Sequence, residues 1–137
     1  MVYVTRREKF CSAHRLFRED WSEEKNKEVF GLCSNPKWHG HNYQLFVTVK
    51  GKVNQETGFV VNLKDLSRLI RKKIIFKLDH KNINEEVDFL SNKITSTENI
   101  VMAIWNELEQ EVKLLDADLH CIKLVETENN SVEYYGE

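Results

Sequence analysis

The chain has 137 residues, 41% of them hydrophobic, with 20 basic and 22 acidic side chains and a formal net charge of −2. This is enough apolar material for one core, so a single domain over residues 1–137 is expected. A near balance of charge with no long run of either sign excludes a nucleic-acid footprint or a polybasic membrane patch, which leaves a small molecule as the expected partner.

The N-terminal segment carries no apolar secretory stretch, and no later segment approaches the roughly 18 apolar residues that span a bilayer, so a cytoplasmic protein is expected. Its three cysteines, Cys11, Cys33 and Cys121, are too few and odd in number for a disulfide framework. Residues 2–13 mix β-branched, aromatic and charged types without a helical stripe and read as a first strand. Ser22 followed by Glu23 and Glu24 reads as a helix N-cap with acids in the first turn, and Gly31 as the stop. From His41 onward, His41, Tyr43, Leu45, Val47 and Val49 alternate with Asn42, Gln44, Phe46, Thr48 and Lys50, the period of a long strand. Residues 54–58 carry turn signals, and residues 59–61 read as the short second arm of a hairpin.

Leu63, Leu66, Ile70 and Ile74 fall at helical spacing, with Arg68, Arg71, Lys72 and Lys73 toward the C-terminal end, where cations suit the helix dipole. A second helix begins in the capping-box pattern Thr95-Ser96-Thr97-Glu98 and continues through Ile100, Val101, Ile104, Trp105, Leu108 and Val112. Residues 120–125 and 131–135 read as strands around a turn. The order β-β-α-α-β-β predicts an α+β layer in which two helices cover one face of an antiparallel sheet. A core this small favours self-association.

The sharpest chemical feature is Cys33-Ser34-Asn35-Pro36-Lys37-Trp38-His39-Gly40-His41. In extended chain, residues i and i+2 share a face roughly 7 Å apart, so His39 and His41 can converge on one metal, with Gly40 between them allowing close backbone approach. His14, at the end of the first strand, could supply a third imidazole. Three imidazoles with an open position are a catalytic zinc ligand set. Cys33, in the loop before this motif, is a candidate base or a further ligand, since a thiol beside a cation or a histidine ionises more readily. In Asp79-His80 the acid can orient the imidazole for proton transfer. Glu126, at a strand end, could accept hydrogen bonds from a heterocycle. Glu98 is already explained by the capping box, Cys11 and Cys121 by packing, and His120 by no visible partner.

Five ordered segments carry a resemblance: Phe10-Cys11-Ser12-Ala13-His14-Arg15-Leu16, residues 33–43, Leu78-Asp79-His80-Lys81-Asn82, Ser96-Thr97-Glu98-Asn99, and Glu126-Thr127-Glu128-Asn129-Asn130. Together they resemble the 6-pyruvoyl-tetrahydropterin synthase family, nearly end to end. The resemblance implies the tunnelling fold, a four-stranded antiparallel sheet with two helices on one side, assembled into a homohexamer, a dimer of trimers with active sites at subunit boundaries. It implies a Zn²⁺ held by His14, His39 and His41, Cys33 as proton-abstracting base, and Asp79 with His80 as a catalytic relay. Glu126 would anchor the pterin ring, with Thr97 and Glu98 as further substrate-binding candidates.

The implied activity is a zinc-dependent lyase that eliminates triphosphate from 7,8-dihydroneopterin triphosphate to give 6-pyruvoyl-tetrahydropterin, as in tetrahydrobiopterin synthesis. The alternative is the 6-carboxy-tetrahydropterin synthase branch, which uses the same substrate on the route to queuosine. The five residues between Cys33 and His39 match the pyruvoyl-forming branch, whereas three are common in the carboxy branch. Lys37-Trp38 departs from the Asn-Gly frequent before His39 in pyruvoyl-forming enzymes. A zinc- or pterin-binding module without turnover is a more remote alternative, against which the intact Cys33, Asp79 and His80 argue.

Overall fold

A computed structural model describes residues 1–137. Strand β1 runs Val2–His14, followed by helix α1, Glu23–Phe30, a 3-10 turn at Gly31–Ser34, and β2, His39–Gly51. Leu63–Ile70, Arg71–Ile75 and Phe76–Leu78 follow without a break as one helix, α2, whose middle stretch is π-helical. Then come β3, Lys81–Asn82, the short helix α3, Ile83–Glu86, helix α4, Thr97–Lys113, and strands β4, Asp118–Thr127, and β5, Asn130–Tyr134.

The sheet order is β3-β1-β2-β4-β5, with the β1–β2, β2–β4 and β4–β5 pairs antiparallel and β3 parallel to β1. The expected α+β layering is present, but the expected four-stranded antiparallel sheet and the order β-β-α-α-β-β are corrected to five strands in a mixed sheet. The added strand pairs Lys81 and Asn82 with Ser12 and Ala13. Two residues have no alternation, so such a strand leaves no periodic signal. The expected hairpin at residues 54–61 is also absent. Asn54 and Phe59 close a turn by a backbone bond of 3.0 Å, and Val60 and Val61 enter the core without pairing, because both edges of β2 are already taken by β1 and β4.

Alternation along β2 places Tyr43, Leu45, Val47 and Val49 fully inside, against Leu66, Ile70 and Ile74 of α2 and Ile100, Ile104 and Leu108 of α4. Burying each such side chain contributes about 1.5–3 kcal/mol. Leu63, expected in the apolar stripe, is exposed, and Leu78 extends the stripe instead. Leu66, Ile70, Ile74 and Leu78 are spaced strictly by four, which on an α-helix precesses by about 40° per step. The wider π turn at Arg71–Ile75 reverses this drift and keeps Leu78 on the sheet. The helix therefore ends against β1, where the Leu78 carbonyl accepts a hydrogen bond from the Ser12 hydroxyl.

Asn62 caps α2, its side chain accepting from the Lys64 amide at 2.9 Å. Ser22 caps α1 and Gly31, at φ 59°, ends it, as the sequence predicts. At α4 the capping-box pattern resolves to Ser96, whose hydroxyl accepts from the Asn99 amide at 3.3 Å. Thr95, one residue earlier, is fully buried elsewhere. No helix is long and apolar enough to cross a membrane.

Candidate active site

Antiparallel pairing sets His14 opposite His39 on the last rung of β1 and β2, and His41 follows two residues on along the same face. The three rings lie with centroids 4.5 Å (His14–His39), 5.2 Å (His14–His41) and 5.0 Å (His39–His41) apart. One nitrogen from each falls within 4.8 Å of the others. Gly40 is not sterically required here, since a Cβ would sit 3.4 Å from the Ser12 carbonyl oxygen, an ordinary contact.

His14 is almost fully buried, and its Nδ1 lies 2.8 Å from the Thr95 carbonyl oxygen. A carbonyl only accepts, so Nδ1 carries the proton and Nε2 presents its lone pair to the cluster. Burial pushes the His14 imidazole down to about 4, helped by the neighbouring His39 and His41 and opposed by the Thr95 bond and Glu126. Burial and His41 likewise lower His39. Both nitrogens of His39 and Nε2 of His41 are buried without any hydrogen-bond partner. Unpaired buried nitrogens cost free energy, and a cation bound among the three imidazoles would satisfy them. The donor set therefore fits a metal.

Glu126 reaches the cluster from β4. Its Oε1 is 3.9 Å from His41 Nε2, and its Oε2 accepts a 2.6 Å hydrogen bond from the hydroxyl of Thr97, the first residue of α4. Glu98 is exposed in the first turn, where the helix dipole favours an acid. Cys33 sits half-buried in the 3-10 turn. Its carbonyl accepts from the Leu16 amide at 2.8 Å, and Arg15 Nε donates to the Ser34 carbonyl at 2.7 Å, so the turn is tied to the segment after His14. Trp38, just before His39, holds the left-handed conformation at φ 69°, unusual for a bulky residue.

Sequence reasoning did not single out Tyr43 as a site residue, yet its hydroxyl lies 3.5 Å from His14 Nε2. Burial, with the charges of Glu126 and Cys33, holds the Tyr43 proton on well above the ordinary tyrosine range. The available signal was its position two residues after His41 on the same strand face.

Asp79 and His80 lie elsewhere. Asp79 Oδ1 accepts from the Cys11 amide at 2.8 Å and Oδ2 lies 3.0 Å from His80 Nδ1. The Cys11 bond, opposed by burial and assisted by His80, holds the Asp79 carboxyl below its usual range. His80 is left-handed at φ 60°, with an exposed side chain and its amide on the Cys11 carbonyl at 2.6 Å. Asp79 borders a depression with Lys9, Cys11, Asn42 and Gln44 on the sheet face turned away from the helices. Within one chain, the pair therefore does not join the histidine cluster. Cys11 is exposed, whereas Cys121 is buried in β4 as expected. His120 packs between the rings of Tyr3 and Tyr135.

Comparison with known proteins agrees with this arrangement. The family model described as 6-pyruvoyl tetrahydropterin synthase matches residues 3–137. The chain is 43% identical over 136 residues to the 6-pyruvoyl tetrahydrobiopterin synthase of Poecilia reticulata, covering 98% of this chain and 90% of that protein. It superposes on the structure of Caenorhabditis elegans 6-pyruvoyl tetrahydropterin synthase with a TM-score of 0.92 at 31% identity, covering 99% and 96% of the two chains. The 6-carboxy-5,6,7,8-tetrahydropterin synthase of Bacillus subtilis is more distant, 27% identical over 101 residues, covering 72% of this chain and 65% of that protein. On the family match and these identities, the chain belongs to the 6-pyruvoyl tetrahydropterin synthase family.

Proposed function

We propose that this protein is a zinc-dependent carbon-oxygen lyase that converts 7,8-dihydroneopterin triphosphate into 6-pyruvoyl-tetrahydropterin and triphosphate, and that the whole chain is one pterin synthase domain. The observation that carries this reading is the convergence of His14, His39 and His41 with unpaired buried nitrogens, beside the carboxylate of Glu126. The five-residue spacer between Cys33 and His39 favours the pyruvoyl over the carboxy product.

His14, His39 and His41 would hold the zinc, which when bound would supply Lewis-acid chemistry toward the side-chain oxygens and their adjacent C–H and O–H groups. Cys33 takes the proton from the side-chain carbon. Glu126 accepts hydrogen bonds from the pterin N–H groups, with Thr97 fixing one of its oxygens at 2.6 Å. His80, oriented by Asp79 at 3.0 Å, moves the hydroxyl proton. Triphosphate leaves with the electron pair of its C–O bond. The ring gains the hydrogens that the side chain loses, so no external reductant is needed.

Because Asp79 and His80 are held on the Cys11 backbone, away from their own chain's histidine cluster, with the His80 side chain exposed, we assign them to the site of a neighbouring copy in a homohexamer of the tunnelling fold. Mixing inactive Cys33→Ala and His80→Ala subunits should then restore activity, and no recovery in mixed oligomers would return the relay to its own chain.

The deciding experiment incubates zinc-loaded protein with 7,8-dihydroneopterin triphosphate and identifies the products by mass spectrometry. The pyruvoyl product and triphosphate are expected. A 6-carboxy product with a released two-carbon aldehyde would assign the carboxy branch instead, and bound zinc without turnover would leave a binding module.

A further inference from the structure

We propose that Asn84 and Thr95 are positioning residues for the metal centre: they clamp the carbonyl that fixes His14 in its Nδ1–H tautomer. The inference deepens the metal reading above and rests on it for its functional consequence.

The argument begins at the edge of β1. β3 pairs with Ser12 and Ala13 and then ends, because the chain turns into α3 at Ile83. Just past the end of β1, Arg15 therefore has no strand neighbour on that side, and the Asn84 side-chain amide takes the vacant rung. Asn84 Oδ1 accepts from the Arg15 amide at 2.9 Å, and Asn84 Nδ2 donates to the Arg15 carbonyl at 2.9 Å. One side chain thus pins both polar groups of the residue that follows His14.

The same amide oxygen accepts a second bond, from the Thr95 hydroxyl at 3.1 Å, and that hydroxyl also lies 3.3 Å from the Arg15 carbonyl. Thr95 is fully buried, in the loop before α4, where no ladder or helix bond would hold its peptide plane. Its hydroxyl is tied to Asn84, and its carbonyl accepts the His14 Nδ1 proton at 2.8 Å. On the other side of Thr95, Asn99 Nδ2 donates to the Ile94 carbonyl at 2.8 Å and Ser96 caps α4, so the carbonyl is held from both directions. A ligand imidazole needs its second nitrogen held in this way, because the partner sets both the tautomer and the ring plane that aims the lone pair.

Removing the Thr95 hydroxyl is the clean test. In Thr95→Val the shape is kept, Asn84 Oδ1 retains the Arg15 amide, and the Arg15 carbonyl retains Asn84 Nδ2, so no buried partner is orphaned. Two readouts are needed. In the metal-free protein, the ¹⁵N shifts of the His14 ring should show a pure Nδ1–H tautomer in the wild type and in Thr95→Ser, and a mixture in Thr95→Val and Asn84→Ala. In chelator competition with Zn²⁺ or Co²⁺, Thr95→Val and Asn84→Ala should bind about 10- to 100-fold more weakly, with Thr95→Ser close to wild type.

An unchanged tautomer together with wild-type affinity in folded Thr95→Val would overturn the clamp. If the wild type bound neither ion, the metal reading would fall, while the ring shifts would still decide whether Asn84 and Thr95 set the state of His14.

Discussion

Two buried polar clusters lie on the same inward face of β1, six residues apart, and they are built on opposite principles. Around Glu8 every group is paired: Ser67 donates to Oε1 at 2.8 Å, Arg6 Nε lies 3.0 Å from the same oxygen, and Arg71 Nε is 3.4 Å from Oε2. Around His14 the cluster is open, with three imidazole nitrogens buried and unpaired. A closed network locks α2 to the sheet and has nothing left to offer a ligand. An open one is costly alone and becomes favourable when a cation arrives. Reactivity here follows from withheld partners rather than from polarity as such.

The largest effect that tests this contrast belongs to the open end. Cys33→Ala should lower kcat about 10²- to 10⁴-fold, the span of a lost general base, while zinc content measured by atomic absorption stays intact. Unchanged turnover would remove Cys33 from the mechanism. His39→Ala should next weaken metal binding by more than about 100-fold, beyond what loss of a supporting residue costs. Since its nitrogens have no partners in the metal-free chain, the same variant should leave the Tm of the metal-free protein nearly unchanged and abolish the rise in Tm on adding zinc.

Glu8→Ala should do the reverse. It leaves the buried Ser67 hydroxyl without its acceptor, and urea unfolding should show a loss of about 2 kcal/mol with metal affinity preserved. A shift in metal affinity would mean that the two clusters are coupled and the contrast is wrong. The smallest effect is with pH. Burial pushes the Glu8 carboxyl up, but the bonds from Ser67 and Arg6 and the charge of Arg71 outweigh it, and the net shift is downward from 4.5. A depressed carboxyl contributes stability above its unfolded value that is lost as pH falls through the folded one. Stability should therefore decline below about pH 4.5, and Glu8→Gln should flatten that part of the profile.

Where a period or a cap carries the information, the sequence was legible. The alternation of β2 is obeyed residue by residue from Tyr43 to Val49, and Ser22 and Gly31 bound α1 as read. Misreadings arose where local pattern met a tertiary demand. Thr95 reads as part of a capping box, yet its hydroxyl is used by Asn84 and its carbonyl by His14, so the cap moves to Ser96. Residues 59–61 have strand composition, but β2, the strand they follow, is already paired on both edges. β3 is too short for any period to announce it.

By itself, the sequence determined that His39 and His41 share a strand face, because a period of two is a local property of extended chain. It also determined, through five ordered motifs, the family to which the chain belongs. Only the tertiary structure decided that His14 stands opposite His39, that the Thr95 carbonyl 81 residues away holds its ring, and that Tyr43 and Glu126 close the same end of the sheet. Register and loop placement come from long-range packing of the whole core, and no window of neighbouring residues contains that information.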